Sequence, residues 1–429
     1  MPHNSPARPI RVIFLVFYCE AWDSLDETYR RMLADDRFEP LVITIPRKLT
    51  GYDDFTDEPL VSAFFTERGI AHERFSFVDS GIGLARLREL DPDYLFLNYP
   101  WQRNYQPGYQ IEELIRFTRV CYVPYFSSSL VQEPAHEGIA PHQYTQPTHQ
   151  LAHLIFLQDA EVKSAFDEAD YGNHAYRTGS PKIDALIASA ETTTPHWPLN
   201  HVLDPGNRPL HLLWAPHHSY GQNWLNFGVF TDMCHDMLDF ARRNPHIDVV
   251  LRPHPFLFGT LTDRDLMTSE ELAAWQHAWD ALPNTAVDGG TPFPEVFLAT
   301  DVLLTDGISF LVEYPLVTGR PAIFWEKPQH WAFTATGALA AEASVRVKNM
   351  AEFEALMATV TAAVPAPVPT RGPTSGAATG SATGSAAVQV DALPDRSAPI
   401  AALLHYVSPH PGQAAARIIK RVLKDFAKP

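Results

Sequence analysis

The sequence predicts an α/β protein built from two parallel-sheet domains in tandem. Three observations carry this reading. Apolar runs of four to seven residues recur along the chain with helix-length periodic stretches between them, the pattern of strand–crossover–parallel-strand units. At 429 residues the chain is too long for one ordinary core. The alternation is interrupted at Thr192 to Arg208, where Pro, Asn and Thr replace the apolar period and mark an interdomain linker.

The first domain, residues 1–195, opens with a strand over Arg11 to Phe17. Asp23 or Ser24 caps a helix that runs to about Leu33. Pro40 to Ile45 is strand-like and Pro59 to Arg68 helical. Asp93 to Asn98, Val120 to Val123, Leu154 to Leu157 and Ala175 to Thr178 are further short strands. The second domain, residues 205–360, starts at the strand Leu210 to Trp214, which ends in Ala215-Pro216-His217-His218-Ser219. A helix from about Phe227 to Arg243 leads to the strand Asp248 to Leu251, which ends in Arg252-Pro253-His254-Pro255. Thr268 and Glu271 form a capping box, and Pro294 suits the first position of a short helix. Four apolar residues follow Asp301, and the chain turns through Thr305, Asp306, Gly307, Ile308 and Ser309 into a helix. Gly319, Arg320 and Pro321 end it, and Ala322 to Trp325 is the next buried run. Two such domains in tandem describe the two-Rossmann GT-B architecture, which places a cleft between them.

Residues 362–399 are Ala, Pro, Gly, Ser and Thr with almost no large apolar side chain, and predict a disordered low-complexity insertion. A closing amphipathic helix is expected over 409–429. Ala415, Ile418, Ile419, Val422, Leu423 and Phe426 fall on one face, with Arg417, Lys420, Arg421 and Lys424 around it. Burial of that stripe against the body is expected, with membrane docking through the basic rim as the alternative.

Composition excludes several classes. A net charge of −17 argues against nucleic-acid binding. No apolar run approaches the roughly 20 residues of a membrane span. Three widely spaced cysteines give neither a disulfide framework nor a metal cluster, so a cytoplasmic location is expected. Walker, GxGxxG and GxSxG motifs are missing, and the histidine spacing does not resemble HExxH, so no cofactor or metal is called for.

Chemistry concentrates at strand ends of the second domain. His217, His218, Arg252 and His254 each follow a strand of one sheet, and the helix near Ser309 points free N–H groups at the same edge. Imidazole, guanidinium and a helix N-terminus together suit a phosphate. Glu313, one turn further on, is placed to accept from a hydroxylated ligand. Any βαβ unit shares part of this pattern; the coincidence of several groups at one edge favours a site.

These segments resemble the CDP-glycerol glycerophosphotransferases, polymerases of teichoic acid and capsule with the GT-B fold. Asp301 onward is similar to that family's "aDvLiTDySS…rPiiff" segment, Arg252-Pro253-His254-Pro255 to its "RxHP", Leu212 to Pro216 to its "iLYAPTwR", and Gly179 to Asp184 to its "GyPriD". The resemblance implies that His254 contacts the donor phosphates, that Thr305, Asp306, Gly307 and Ser309 hold them, and that Glu313 binds the ribose. It departs at Ile308, where the family pairs two serines. At His217-His218-Ser219 the family has threonine, tryptophan and arginine. Tyr125 to Ser128 stands in place of a histidine-bearing element. The expected activity moves a polyol phosphate from a CDP-activated donor to a hydroxyl of a surface polymer or lipid-linked acceptor, with His254, Arg252 and His218 catalytic. A nucleotide-sugar glycosyltransferase and a non-catalytic binding subunit are the alternatives. Peripheral contact with the inner membrane face would follow from a lipid-linked acceptor.

Overall fold

The computed structural model describes residues 8–48, 53–134, 144–201, 203, 208–221, 225–363 and 393–428. The chain forms two compact units. The first comprises Met1–Ala188, Trp331–Leu339 and Ala401–Pro429; the second comprises Ser189–His330 and Ala340–Ile400.

The first unit holds a seven-stranded sheet of β1 (Ile10–Val16), β2 (Phe38–Thr44), β3 (His72–Arg74), β4 (Tyr94–Leu97), β5 (Arg119–Tyr122), β6 (Leu154–Leu157) and β7 (Ala175–Arg177). Its order is β3-β2-β1-β4-β5-β6-β7, parallel throughout. Helices cover both faces, so the central strands are apolar along their whole length and do not alternate; β4 is fully buried. Phe14 pairs with Val42 on one side and Phe96 on the other. Phe14, Trp22, Tyr29 and Phe96 centre the core, which also takes in Ile418, Ile419 and Val422 of the helix Ala414–Phe426. Polar contacts seat that helix as well: Tyr94 Oη donates to Asp425 Oδ2 at 2.8 Å, and Arg421 donates to Tyr176 Oη at 2.6 Å.

The second unit holds β8 (Leu210–Ala215), β9 (Ile247–Leu251), β10 (Thr285–Val287), β11 (Val302–Thr305), β12 (Ile323–Trp325) and β13 (Val345–Val347), again all parallel, in the order β10-β9-β8-β11-β12-β13. Trp214, Phe230, Trp275 and Trp279 interlock beneath the sheet, with Trp214 and Phe230 stacked at 5.3 Å. The order of each sheet reverses beside its first strand, between β1 and β4 in one and between β8 and β11 in the other. Open parallel sheets bind ligands at the carboxyl ends of strands beside such a reversal.

Three features differ from the sequence reading. The Pro/Asn-rich stretch is no loose tether on the second unit. Its Trp197 and His201 donate to Asp248 at 3.2 and 2.7 Å, and Trp197 stacks on His211 at 4.3 Å. The low-complexity segment is narrower than 362–399: a helix runs to Ala363, Arg396 donates to Ser344, and another helix starts at Ser397. The remainder of that expectation, 364–392, lies outside the described residues. Finally, β3, β10 and β13 went unpredicted; each is three residues long.

Candidate functional site

The reversal between β8 and β11 brings together six of the nine residues singled out from sequence. His217 and His218 follow β8, His254 follows β9, and Thr305, Asp306 and Gly307 end β11. The three imidazoles face one another. Ring centroids are 4.7 Å apart for His217 and His218, 5.1 Å for His217 and His254, and 4.1 Å for His218 and His254. One ring nitrogen from each lies within 4.8 Å of the others.

The turn after β11 is a scaffold for this cluster. The Thr305 hydroxyl donates to the Ala215 carbonyl at 2.8 Å and accepts from the Gly307 N–H at 2.9 Å, which ties β11 to β8. The Asp306 carboxylate accepts from the His217 N–H at 2.6 Å and the Val229 N–H at 2.8 Å. Burial raises its pKa to about 7. A Cβ on Gly307 would stand 3.3 Å from His217 Cβ, so glycine lets the turn press against that ring. The helix Ile308–Thr318 then begins with no side chain capping it, which leaves its first N–H groups available to a ligand. Ser309 is half-buried at its second position, and Glu313 is buried one turn on.

Hydrogen bonding fixes the proton positions on two of the rings. Phe256 N–H donates to His254 Nδ1 at 3.1 Å, and Ser219 N–H donates to His217 Nδ1 at 3.2 Å. The Ser219 hydroxyl also meets His217 Nδ1 at 2.8 Å while accepting from the Phe227 N–H at 3.0 Å. A backbone N–H can only donate, so both Nδ1 atoms carry lone pairs and both neutral rings carry hydrogen on Nε2. Burial holds His217 and His254 well below the ordinary imidazole range, aided by the neighbouring rings. Burial likewise lowers His218 to about 4, with the Arg264 guanidinium adding to the shift. The cluster is therefore a set of uncharged N–H donors at neutral pH. Among the described residues this is the one group of three or more His, Cys, Asp or Glu that could hold a metal. Ligation through Nε2 of His217 and His254 would require moving each proton to Nδ1, against the backbone N–H groups that point there.

Arg252 differs from expectation. Instead of presenting an open fork, its guanidinium pairs with Asp288, donates to the Thr291 carbonyl at 2.7 Å and lies 4.3 Å from the Phe293 ring centroid. Its role here is to pin the strand end that carries His254. Asp301 is also structural: it takes a two-pronged contact from Arg208, both prongs 2.7 Å. Ser219, the Phe256 N–H and Arg264 were missed. Ser219 lay in plain view beside the histidines, whereas Arg264 sits 46 positions from His218 with no local signal.

No protein-family model matches the sequence, and no curated protein matches it. Solved structures do. A UDP-GlcNAc 2-epimerase from Neisseria meningitidis, bound to UDP-GlcNAc, superposes with TM-score 0.58 and 12% identity over 97% of this chain and 100% of that one. A protein described as a putative UDP-N-acetylglucosamine 2-epimerase from Listeria monocytogenes gives 0.55 and 12%, covering 98% and 97%. The wall teichoic acid polymerase TagF gives 0.51 and 12%, covering 97% and 89%. Likeness at this identity establishes the fold: two parallel-sheet α/β domains of the GT-B type.

Proposed function

We propose that this chain is a transferase that binds the diphosphate of a nucleotide-activated donor at the β8/β11 reversal. The observation that carries the reading is the fixed Nε2–H tautomer of His217 and His254 beside an uncapped helix start. Such donors stabilise an anion without burying positive charge that would be unpaired between turnovers.

Two reactions suit that site. In glycosyl transfer an acceptor hydroxyl attacks the sugar carbon and the nucleoside diphosphate leaves. This reading is supported by the likeness in fold to a UDP-GlcNAc 2-epimerase bound to UDP-GlcNAc, a nucleotide sugar. In polyol-phosphate transfer the hydroxyl attacks the β-phosphorus of a CDP-activated polyol, a phosphodiester forms and CMP leaves. The segments Asp301 to Lys327 and Arg252 to Pro255, together with the likeness to TagF, support this second reading. Either way negative charge grows on the departing phosphate, where the imidazole N–H groups and the helix amides would stabilise it. The acceptor would be a polymer or lipid-linked chain bearing a free hydroxyl.

The deciding experiment incubates the protein with UDP-sugars and CDP-polyols in the presence of a polymeric acceptor and identifies the nucleotide product. Nucleoside diphosphate supports glycosyl transfer, and CMP supports polyol-phosphate transfer. Donor bound without turnover would make the chain a binding subunit, and sugar epimerised without release would place it with the epimerases.

A further inference from the structure

The three imidazoles at the β8/β11 reversal are not equivalent as proton acceptors. A second proton on His217 or His254 could enter only at Nδ1, since Nε2 already carries hydrogen. Both Nδ1 atoms face a backbone N–H, from Ser219 at 3.2 Å and from Phe256 at 3.1 Å, so charging either ring would set two hydrogens head to head. His218 differs. Among the described residues its ring makes no hydrogen bond. It is half-buried, against the His254 ring at 4.1 Å and the Phe256 ring at 5.4 Å. Its lone-pair nitrogen can therefore take a proton without breaking a hydrogen bond. The titratable groups facing it are the other two imidazoles and the Arg264 guanidinium, which donates to the Tyr220 carbonyl. The Asp306 carboxylate is engaged by the His217 and Val229 N–H groups. Burial and the Arg264 charge keep His218 neutral in the free protein. An anion held against the cluster reverses that balance, because an opposite charge within about 4–6 Å favours the charged form. Ring centroids 4.1–5.1 Å apart leave room for one such charge and repel a second.

We propose that His218 is the proton-carrying residue of this site: binding of a nucleoside diphosphate draws one proton from water onto its free ring nitrogen, and release of the ligand returns it. The inference rests on the donor reading of the site. It adds that positive charge arrives with the anion and leaves with it, so the buried cluster never holds a charge unpaired. Titration calorimetry on the full chain with UDP and with CDP, at pH 7 in two buffers of different ionisation enthalpy, counts the protons exchanged. Uptake of about 0.5–1 proton per nucleotide is expected. The terminal phosphate of the ligand titrates near pH 6 on its own account, so each value is read against His218→Gln with the same ligand. That variant keeps an N–H donor but should lose the uptake and bind about tenfold more weakly at pH 7. By pH 9 it and the wild type should bind alike, because neither then carries the charge. His218→Arg, permanently charged, should bind tightly at both pH values without uptake. His254→Gln should weaken binding and keep the uptake per bound nucleotide. No uptake by the wild type, uptake undiminished in His218→Gln, or uptake lost in His254→Gln overturns the inference and leaves the donor reading standing. Failure of both UDP and CDP to bind, or affinity untouched by His254→Gln, overturns the donor reading and the inference together.

Discussion

At the reversal of the second sheet the chain gathers imidazoles, and at the equivalent reversal of the first it gathers tyrosines. Tyr18 follows β1, Tyr99 follows β4 and Tyr125 follows β5. Their ring centroids lie 5.2 Å apart for Tyr18 and Tyr99, 6.1 Å for Tyr18 and Tyr125, and 5.0 Å for Tyr99 and Tyr125, backed by Phe17. Burial pushes all three phenols upward, so they stay uncharged hydroxyls at any working pH. One backbone plan thus supplies two chemically distinct ledges. The tyrosine ledge offers aromatic faces and hydroxyls, which suit a neutral hydroxylated surface; the histidine ledge offers N–H donors, which suit an anion.

The largest effect that can separate the two units is expected in folding. Ile419→Asp with Val422→Asp would put two carboxylates into the core behind the tyrosine ledge. The cost should be at least about 3–5 kcal/mol, read as a drop in thermal unfolding temperature. A variant that kept its melting temperature but lost liposome binding would show the stripe to be a membrane anchor instead.

Next in size comes chemistry. His254→Ala should lower turnover by about 100-fold with the melting temperature retained, whereas Tyr125→Phe should leave turnover essentially unchanged. Comparable losses from both would break the contrast between the ledges. A smaller effect should follow Ser219→Ala, which removes one hydrogen bond to His217 Nδ1 and should cost about five- to tenfold in turnover. Glutamine at 217, which cannot titrate or change tautomer, should be insensitive to the residue at 219; if it responds equally, Ser219 acts through the loop rather than the ring.

The smallest effect is a slope in stability against pH. The cluster histidines are lowered on folding, His218 from 6.5 to about 4. Below pH 6.5 the unfolded chain takes up protons that the folded rings refuse, so stability falls as pH drops from about 6.5 toward 4. Asp306, raised from 3.8 to about 7, pulls the other way across the same window, because the folded acid binds its proton first. Three rings against one carboxyl set the net sign. Unfolding of His218→Gln followed from pH 7 to 4 should show a shallower loss than the wild type. The tyrosines add nothing in this range.

Much of this was legible in the sequence where the signal is local. Strands buried on both faces read as plain apolar runs, and β6 matches its predicted span residue for residue. The capping box at Thr268 forms with Glu271 as expected. What sequence missed is non-local or weak. β3 reads His-Glu-Arg, a polar edge strand stabilised by its neighbour's ladder rather than by burial. The strand ends did indicate which histidines share an edge. They could not show that Arg252 is consumed by Asp288, 36 positions away, or that Nδ1 of two rings is taken by backbone N–H groups. Those facts depend on turn geometry and pairing across the sheet, neither of which leaves a periodic trace.

The seating of the helix Ala414–Phe426 has a consequence for how the protein is made. Ile418 and Val422 complete a core whose centre, Phe14, lies about 400 positions earlier in the chain. The second unit draws its sheet from Leu210–Val347 alone. At roughly 5–20 residues per second, a ribosome needs on the order of 20–80 s between emitting β1 and emitting the helix that covers it. For that interval the apolar patch awaiting the helix is open to chaperones, while the sheet encoded later can already close. Translation thus reverses the usual order, and the half synthesised first is the half finished last.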